Sequence, residues 1–404
     1  MKQYLFLIKN ILKSKEGGGL IVFGVRWIVA IPFKLLSTPR YLFWDKKKVN
    51  WNKSKRDILS RANWLCDKVL VEPSALLDSM PRFLGEHYMG EWAIYTCSML
   101  VAALSNIVKL YPEEQKLCLS RMRKIIEIVL SPELRSYDSK KWREDPLDTL
   151  SGDNSHMTYL SILSWCITNY KLSGGSGEYD TILRRCCEAL SRRMQKSPDM
   201  NLQSFPDHII FFPDMLVAIV ALRNYSILYN GHYSSLVSAW IRKARNEWID
   251  ENTGLLYAIK PAVFSRKTNA KYSNSIIRGS YTALSCHYLT LIDTEFAKDQ
   301  YDKMKKWLIK KKPLVGIKEY LHKSPPLYFD VDAGPVVCGL SPSGTAFSIG
   351  SATFFNDYQL RCKLLRSGEI VGQTVNRGGG RHYRLGEMVL VGESTVLAMK
   401  TNIA

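Results

Sequence analysis

The chain has 404 residues, of which 46% are hydrophobic, and it carries a formal net charge of +19 at pH 7. Its basic residues are spread over amphipathic segments and both termini, and no zinc knuckle, RRM signature or helix-turn-helix is present, so we expect no nucleic-acid partner. The nine cysteines follow no spacing rule, which argues against a disulfide scaffold or a zinc site and indicates a reducing compartment.

The N-terminal segment combines apolar stretches with cations. Residues 4–8 are apolar, and a second apolar run at 20–36 contains Arg26 and Lys34. That run is too short and too charged for a spanning helix, and no cleavage site of a secretory signal follows it. We predict that residues 1–54 form a membrane-associating arm on the cytoplasmic side of a membrane, with anionic headgroups as its partner. An arm packed on the rest of the protein is the alternative.

Pairs of helical patterns recur about every sixty residues over the middle of the chain. The first pattern of each pair is apolar on all faces, which is typical of a buried helix, and the second has one apolar stripe, which is typical of an outer helix. The buried patterns cover 88–110, 156–172, 214–229 and 279–292, and the outer ones cover 113–130, 179–195, 233–249 and 295–311.

Stacked hairpins that bury one helix and expose the other form a solenoid or a closed ring. We predict an all-α fold, an (α/α)6-type toroid of helical hairpins at residues 55–366 that forms the catalytic domain. A split into two domains near residue 200 is the alternative.

The last segment, residues 367–404, is predicted to be an extension with short strands. Apolar runs at 388–391 and 395–399 flank Gly392 and Glu393, which suit a turn. The sequence therefore predicts a short C-terminal β-hairpin.

The loops before the buried helices hold most of the residues that could do chemistry. His156 begins a buried helix, Asp153 is placed to orient its ring, and Tyr159 follows one turn later. A histidine that only caps the helix is the alternative. His87 and Tyr88 form a second cluster, for which an ordinary acidic first turn is the alternative.

Three aspartates are candidates for acid-base roles. Asp214 precedes a long apolar run, so it is either an N-cap or a carboxylate in a dry pocket, where a raised pKa would suit a general acid. Asp330 and Asp332 would point to one side of an extended segment and could divide acid and base roles. A turn, a helix cap or a cation site would explain this pair equally well.

Four segments resemble the linalool dehydratase/isomerase-like superfamily over residues 55–366: 90–95, 155–160, 212–222 and 332–339. The resemblance implies an (α/α)6 barrel and cofactor-independent acid-base chemistry on an allylic alcohol in an apolar cavity. His156 is carried over at its helix start, whereas Asp153, Tyr88 and Cys166 are weaker analogies. The family's cysteine spacing is not evident in this chain.

These observations predict a cofactor-independent lyase or isomerase that acts on a small hydrophobic, lipid-like or terpenoid substrate by general acid-base catalysis. The predicted catalytic residues are His156, Asp214, Asp332, His87 and Asp153. The predicted substrate-binding residues are Tyr88, Trp92, Tyr159, Tyr281, Asp330 and Cys166. No metal or cofactor is expected, and a homo-oligomer is compatible with the sequence.

Two other function classes remain open. The first is a carbohydrate-active (α/α)6 hydrolase or lyase, in which Asp214 pairs with Asp330 or Asp332 and aromatic side chains hold the sugar. The second is a non-catalytic toroid that binds a lipid or a protein, because fold alone does not determine function.

Overall fold

The structure is a computed structural model that describes residues 47–404, except 208, 263–275, 313, 323–324 and 378–379. Residues 1–46, which hold most of the predicted membrane-associating arm, lie outside the described residues. In chain order the helices are α1 (Trp51–Val69), α2 (Pro73–Asp78), α3 (Glu86–Leu110), α4 (Gln115–Val129), α5 (Pro132–Trp142), α6 (Met157–Leu172), α7 (Asp180–Lys196), α8 (Phe212–Leu228), α9 (Ser234–Glu247), α10 (Gly279–Thr290), α11 (Thr294–Trp307), α12 (Pro342–Phe354), α13 (Tyr358–Gly372) and α14 (Leu390–Lys400).

An inner ring is formed by α3, α6, α8, α10, α12 and α14. Each of these helices packs against the next in this order, and α14 packs against α3, so the ring is closed. Their side chains are apolar on nearly every face, as in α8, where all of 215–222 is buried. Helices of this kind avoid water only when other helices surround them, which is the position that the ring provides.

An outer layer is formed by α1, α4, α7, α9, α11 and α13, each packed on the inner helix that follows or precedes it. These helices have a single buried stripe. In α7, for example, Leu183 and Leu190 are buried, whereas Arg184 and Arg185 are exposed. The two remaining helices, α2 and α5, pack beside the start of α3.

The strands are short and lie at one end of the ring. They are β1 (Ile209–Phe211), β2 (Ile259–Pro261), β3 (Ile309–Lys310), β4 (Gly316–Lys318), β5 (Leu327–Asp330), β6 (Gly334–Val337), β7 (Leu340–Ser341), β8 (Thr374–Arg377) and β9 (Gly380–Tyr383). Three antiparallel sheets result: β1–β2, a five-stranded sheet in the order β3–β4–β7–β6–β5, and β8–β9. Asp330 pairs with Gly334, so the tight turn between β5 and β6 carries Asp332.

The predicted all-α toroid is confirmed, and the four segments predicted to be buried coincide with α3, α6, α8 and α10. The C-terminal hairpin is also present, but it lies at β8–β9, and the placement of its strands at 388–399 is wrong. Those residues form α14, because their apolar side chains fill the gap between α12 and α3. The toroid thus runs to Lys400, past residue 366, where the sequence placed its end.

Among the described residues, one helix is long and apolar enough to cross a membrane, and it is α3. Of its most apolar stretch, 72% is buried inside the protein, which is the pattern of a core helix. Its composition is explained by its place in the inner ring.

Candidate active site

Five polar residues meet where α3, α8 and α10 begin. Glu91 and Tyr95 lie one turn apart on α3, Asp214 is in the first turn of α8, Tyr281 is in the first turn of α10, and Asp332 lies in the β5–β6 turn. All five keep part of their surface accessible although they are enclosed by protein. We call this group the acidic recess, since it brings three carboxyl groups from distant parts of the chain into electrostatic contact.

Asp214 has the environment of a general acid. Its Oδ1 accepts a hydrogen bond from the Tyr95 hydroxyl at 2.8 Å, and its Oδ2 accepts one from the Ser204 hydroxyl at 2.5 Å. Burial raises the pKa of Asp214 to about 6, because it outweighs the two hydrogen bonds and is reinforced by the charge of Asp332. A carboxyl group with such a pKa can hold a proton and release it close to neutral pH.

Asp332 is held by Arg278, the residue immediately before α10. The Arg278 guanidinium donates to Asp332 Oδ2 at 3.1 Å, to Asp330 Oδ1 at 2.6 Å and to Glu319 Oε1 at 2.7 Å. Burial raises the pKa of Asp332, and Arg278 acts in the opposite direction by favouring the carboxylate. One buried cation thus ties the five-stranded sheet to the start of α10.

The predicted pair of aspartates divides into two environments. Asp330 Oδ1 accepts hydrogen bonds from the backbone N–H groups of Asp332 and Ala333, both at 2.9 Å, so it shapes the turn. Asp332 faces the acidic recess, where Tyr281 hydrogen-bonds to its carboxyl group.

Glu91 is the third carboxyl group, and 18% of its side chain is exposed. Burial raises its pKa well above the usual value, and the charges of Asp332 and Asp214 add to the effect. His87 Nε2 lies 3.9 Å from Glu91 Oε2. However, burial and the charge of Lys141 lower the pKa of His87 to about 4, so the imidazole is neutral at neutral pH. Glu91 is thereby favoured in its protonated form.

His156 lies outside the acidic recess. It starts α6 in the left-handed region, with a φ of 45°, and its side chain is completely buried. Its Nδ1 lies 2.5 Å from Asp138 Oδ2, and its Nε2 lies 3.0 Å from Glu144 Oε1. Both ring nitrogens are therefore engaged in tying α5 and the loop after it to α6. Asp153 does not orient this ring, because its 71% exposed side chain pairs with Lys196 at 2.6 Å.

The other predicted substrate-binding residues are dispersed. Tyr159 donates to the carbonyl of Val129 at 3.0 Å, and Cys166 is fully buried, so both belong to the core. Tyr88 is exposed beside His87, and Trp92 is partly buried next to Glu91 on α3. The structure therefore brings together His87, Asp214, Tyr281 and Asp332 from the predicted set.

The sequence analysis did not identify three residues of the site, namely Tyr95, Ser204 and Arg278. Two of them left a local signal. Tyr95 follows Glu91 by four residues on a buried helix, so the two share a face. Arg278 is a cation at a helix start, where the dipole favours anions, and this placement indicates nearby carboxylates. Ser204 lies in a loop that carries no such signal.

No protein-family model matches this sequence, and no curated protein is significantly similar to it. The fold is similar to that of two solved hydrolases. One is a glycoside hydrolase from family 105 of C. acetobutylicum ATCC 824, with a TM-score of 0.54 and 11% identity, covering 76% of this chain and 92% of that one. The other is an unsaturated glucuronyl hydrolase specific for heparin, with a TM-score of 0.55 and 10% identity, covering 87% of this chain and 96% of that one.

These similarities support the (α/α)6 toroid and correct the expected chemistry. The barrel implied by the linalool dehydratase/isomerase resemblance is present, but the two solved proteins named above are carbohydrate hydrolases. The prediction of a lyase or isomerase acting on a hydrophobic, terpenoid substrate is wrong. The recess agrees with this correction, because carboxyl groups line it in place of an apolar wall.

Proposed function

We propose that the protein is a carbohydrate-active hydrolase that cleaves a glycosidic bond in the acidic recess. The observation that carries the proposal is the environment of Asp214, whose pKa is raised to about 6 beside a second carboxyl group, Asp332. Glycosidases use two carboxyl groups whose environments separate their acid and base roles. The names of the two solved hydrolases with this fold support the same class.

Each carboxyl group has a role in the proposed reaction. Asp214 gives its proton to the glycosidic oxygen, the bond from the sugar carbon to that oxygen breaks, and its electron pair stays on the oxygen. Asp332 takes a proton from a water molecule whose oxygen bonds to the sugar carbon. Arg278 is a positioning residue, because its charge favours the carboxylate form of Asp332.

Other groups of the recess would hold the sugar. Glu91, favoured in its protonated form, can donate a hydrogen bond to a sugar hydroxyl. Tyr281 of the recess and Trp92, which follows Glu91 on α3, are partly exposed aromatic residues, and aromatic rings suit the apolar faces of sugars.

The test is an assay for release of sugar from a panel of oligosaccharides. The panel starts with heparin disaccharides that carry a terminal unsaturated glucuronyl unit and extends to other acidic and neutral oligosaccharides. Hydrolysis adds one water molecule for each bond cleaved, which mass spectrometry distinguishes from the elimination products of a lyase.

Asp214→Asn should lower kcat by about 10²–10⁴-fold, the usual contribution of a general acid. In the wild-type enzyme kcat/KM should fall as the pH rises through about 6, because Asp214 then loses its proton. Asp67→Asn, at an exposed aspartate on α1, is the matched control and should leave kcat unchanged. The proposal is wrong if no oligosaccharide of the panel is hydrolysed, or if Asp214→Asn retains full activity.

A further inference from the structure

A cavity of about 330 Å³ lies beside the acidic recess, between α2, α3 and α5. Its wall includes His87 and Gly90 of α3 and Tyr137, Lys140 and Lys141 of α5. Gly90 directly precedes Glu91, so the same two turns of α3 border both the cavity and the recess. The volume is at the lower end of the range for small-molecule sites, roughly 300–1,000 Å³.

The two lysines of the cavity differ in their partners. Lys140 is paired with Glu86 at 2.6 Å. Within the described part of the chain, Lys141 has no carboxylate at ion-pair distance, and its Nζ lies 6.0 Å from the centre of the Phe205 ring. Its charge nevertheless contributes to the lowered pKa of His87 and opposes the rise in the pKa of Glu91, so it acts on groups of both the cavity and the recess. It is a cation available to a ligand.

A buried hydroxyl lies on the same boundary. Tyr137 is 2% exposed, and its hydroxyl has no hydrogen-bond partner among the described residues. Burial raises its pKa well above the usual value, and the charges of Asp138, Glu91 and Asp214 add to this, which places the phenol near the recess. A buried polar group without a partner is costly, so a ligand that accepts a hydrogen bond from the Tyr137 hydroxyl would relieve that cost.

Gly90 explains why these groups meet. A Cβ at position 90 would lie 2.5 Å from the Cβ of Tyr137, closer than atoms can pack. Only glycine therefore lets α3 and α5 approach so closely, and this approach brings Lys141, near the end of α5, to the start of α3.

We propose that this cavity is a substrate subsite that binds an anionic substituent, a carboxylate or a sulfate, on the sugar unit next to the one held in the acidic recess. Lys141 supplies the charge, and the Tyr137 hydroxyl and the neutral imidazole of His87 supply hydrogen bonds. The inference rests on the proposed function for its substrate class. The net charge of +19 acts in the same sense, because it attracts an anionic chain to the protein from a distance.

The experiment measures binding apart from turnover. Isothermal titration calorimetry on the full chain in the Asp214→Asn background compares a disaccharide of two uronic acids, its methyl ester, and a sulfated disaccharide. The ester keeps the shape of the sugar and removes the carboxylate charge, and the sulfated sugar tests which anion is preferred. Lys141→Ala, Lys141→Arg and the exposed Lys116→Ala on α4, as the matched control, are titrated in parallel.

Lys141→Ala should weaken binding of the acid or of the sulfated sugar about 10-fold and leave the ester unaffected, since a charge-assisted hydrogen bond contributes on that order. Lys141→Arg should retain most of the affinity, and Lys116→Ala all of it. If the Lys141→Ala variant and the protein with Lys141 bind every charged sugar with equal affinity, the proposed subsite is wrong. If charged sugars bind through Lys141 but no sugar is hydrolysed by the wild-type enzyme, the proposed function fails and the subsite stands.

Discussion

Two hydroxyl groups and burial act on the Asp214 carboxyl group in opposite directions. The hydrogen bond from Tyr95 lowers the pKa of Asp214, whereas burial raises it. Tyr95→Phe removes this donor, so the pKa should rise further and the acid should keep its proton at higher pH. The fall of kcat/KM on the alkaline side should therefore move upward in a pH–rate profile.

Tyr358→Phe is the control: it removes a hydroxyl at the start of α13 that donates to Asn356 in the preceding turn, and it should leave the profile in place. A profile that is unchanged or moves downward in Tyr95→Phe would mean that Asp214 is not the acid.

His156 should matter for stability. Its removal leaves the buried carboxyl group of Asp138 without a hydrogen-bond partner, and an unsatisfied buried polar group of this kind costs about 1–3 kcal/mol. We expect His156→Ala to lower the free energy of unfolding by that amount in urea. At temperatures where the variant remains folded, it should still turn over substrate.

Asp153→Asn provides the comparison, because an exposed ion pair contributes at most about 1 kcal/mol. Loss of turnover in a fully stable His156→Ala protein would instead place this histidine in the reaction.

The sequence indicated which loops carry the site and could not show which side chains turn into it. Asp214 was predicted because it precedes a long apolar run, and Asp332 because it forms a pair of acids with Asp330 on an extended segment. His156 also stands at the start of a buried helix, but both of its ring nitrogens are hydrogen-bonded, one to Asp138 and the other to Glu144. These partners come from α5 and the loop after it. The way that this region packs on α6 is tertiary structure, which local sequence patterns do not predict.

Among the helices and strands, the C-terminal segment shows most clearly what the sequence could not predict. The helices α3, α6, α8 and α10 were predictable because long segments that are apolar on every face must be buried. The α14 segment is shorter and contains Gly392 and Glu393, so it suited two strands and a turn equally well. The α14 segment forms a helix because a helix fills the space between α12 and α3 and because Glu393 is then buried against Arg61.

The junction of α10 with the sheet depends on a glycine. A Cβ at Gly279 would lie 1.9 Å from the carbonyl oxygen of Lys318, a backbone atom in β4 that cannot move aside. Gly279→Ala should push the sheet from the start of α10 and with it displace Asp332 from Arg278. We expect a loss of stability of about 1–3 kcal/mol, typical of overpacking, and a fall in kcat.

Gly392→Ala is the matched change within α14, where the new Cβ would find only ordinary contact at 3.8 Å. It should be neutral or mildly stabilising, because alanine is the better helix former. Full stability and activity of Gly279→Ala would contradict the role given to this junction.

At the scale of the whole molecule, ion pairs fasten the two ends of the described chain together. Arg61 of α1 donates to Glu393 of α14 and to Thr374 of β8, both at 2.6 Å. Asp57 pairs with Lys400 at 2.5 Å. Burial raises the pKa of Asp57, but the charges of Lys400, Arg61 and Arg381 outweigh it and hold the pKa well below the usual value.

A carboxyl group whose pKa is lower in the folded than in the unfolded state stabilises the fold above its unfolded pKa, about 4, and this stabilisation is lost as the pH falls towards the folded value. Asp57→Asn should therefore lower the free energy of unfolding at neutral pH, by about 3 kcal/mol for a buried pair, and the difference from wild type should shrink in acid. Urea titrations of both proteins at neutral and acidic pH measure this difference in the free energy of unfolding. A difference that does not change with pH would show that Asp57 contributes through its shape alone.

The closed ring also sets an order of events during synthesis. Asn106 of α3 donates to the carbonyl oxygen of Ala398 in α14, across 292 residues. At a translation rate of about 5–20 residues per second, α3 leaves the ribosome roughly 15–60 s before the helix that completes its surroundings. During that interval a strongly apolar surface has no native cover. The nascent chain should accordingly depend on a chaperone that shields α3 until the last helix emerges.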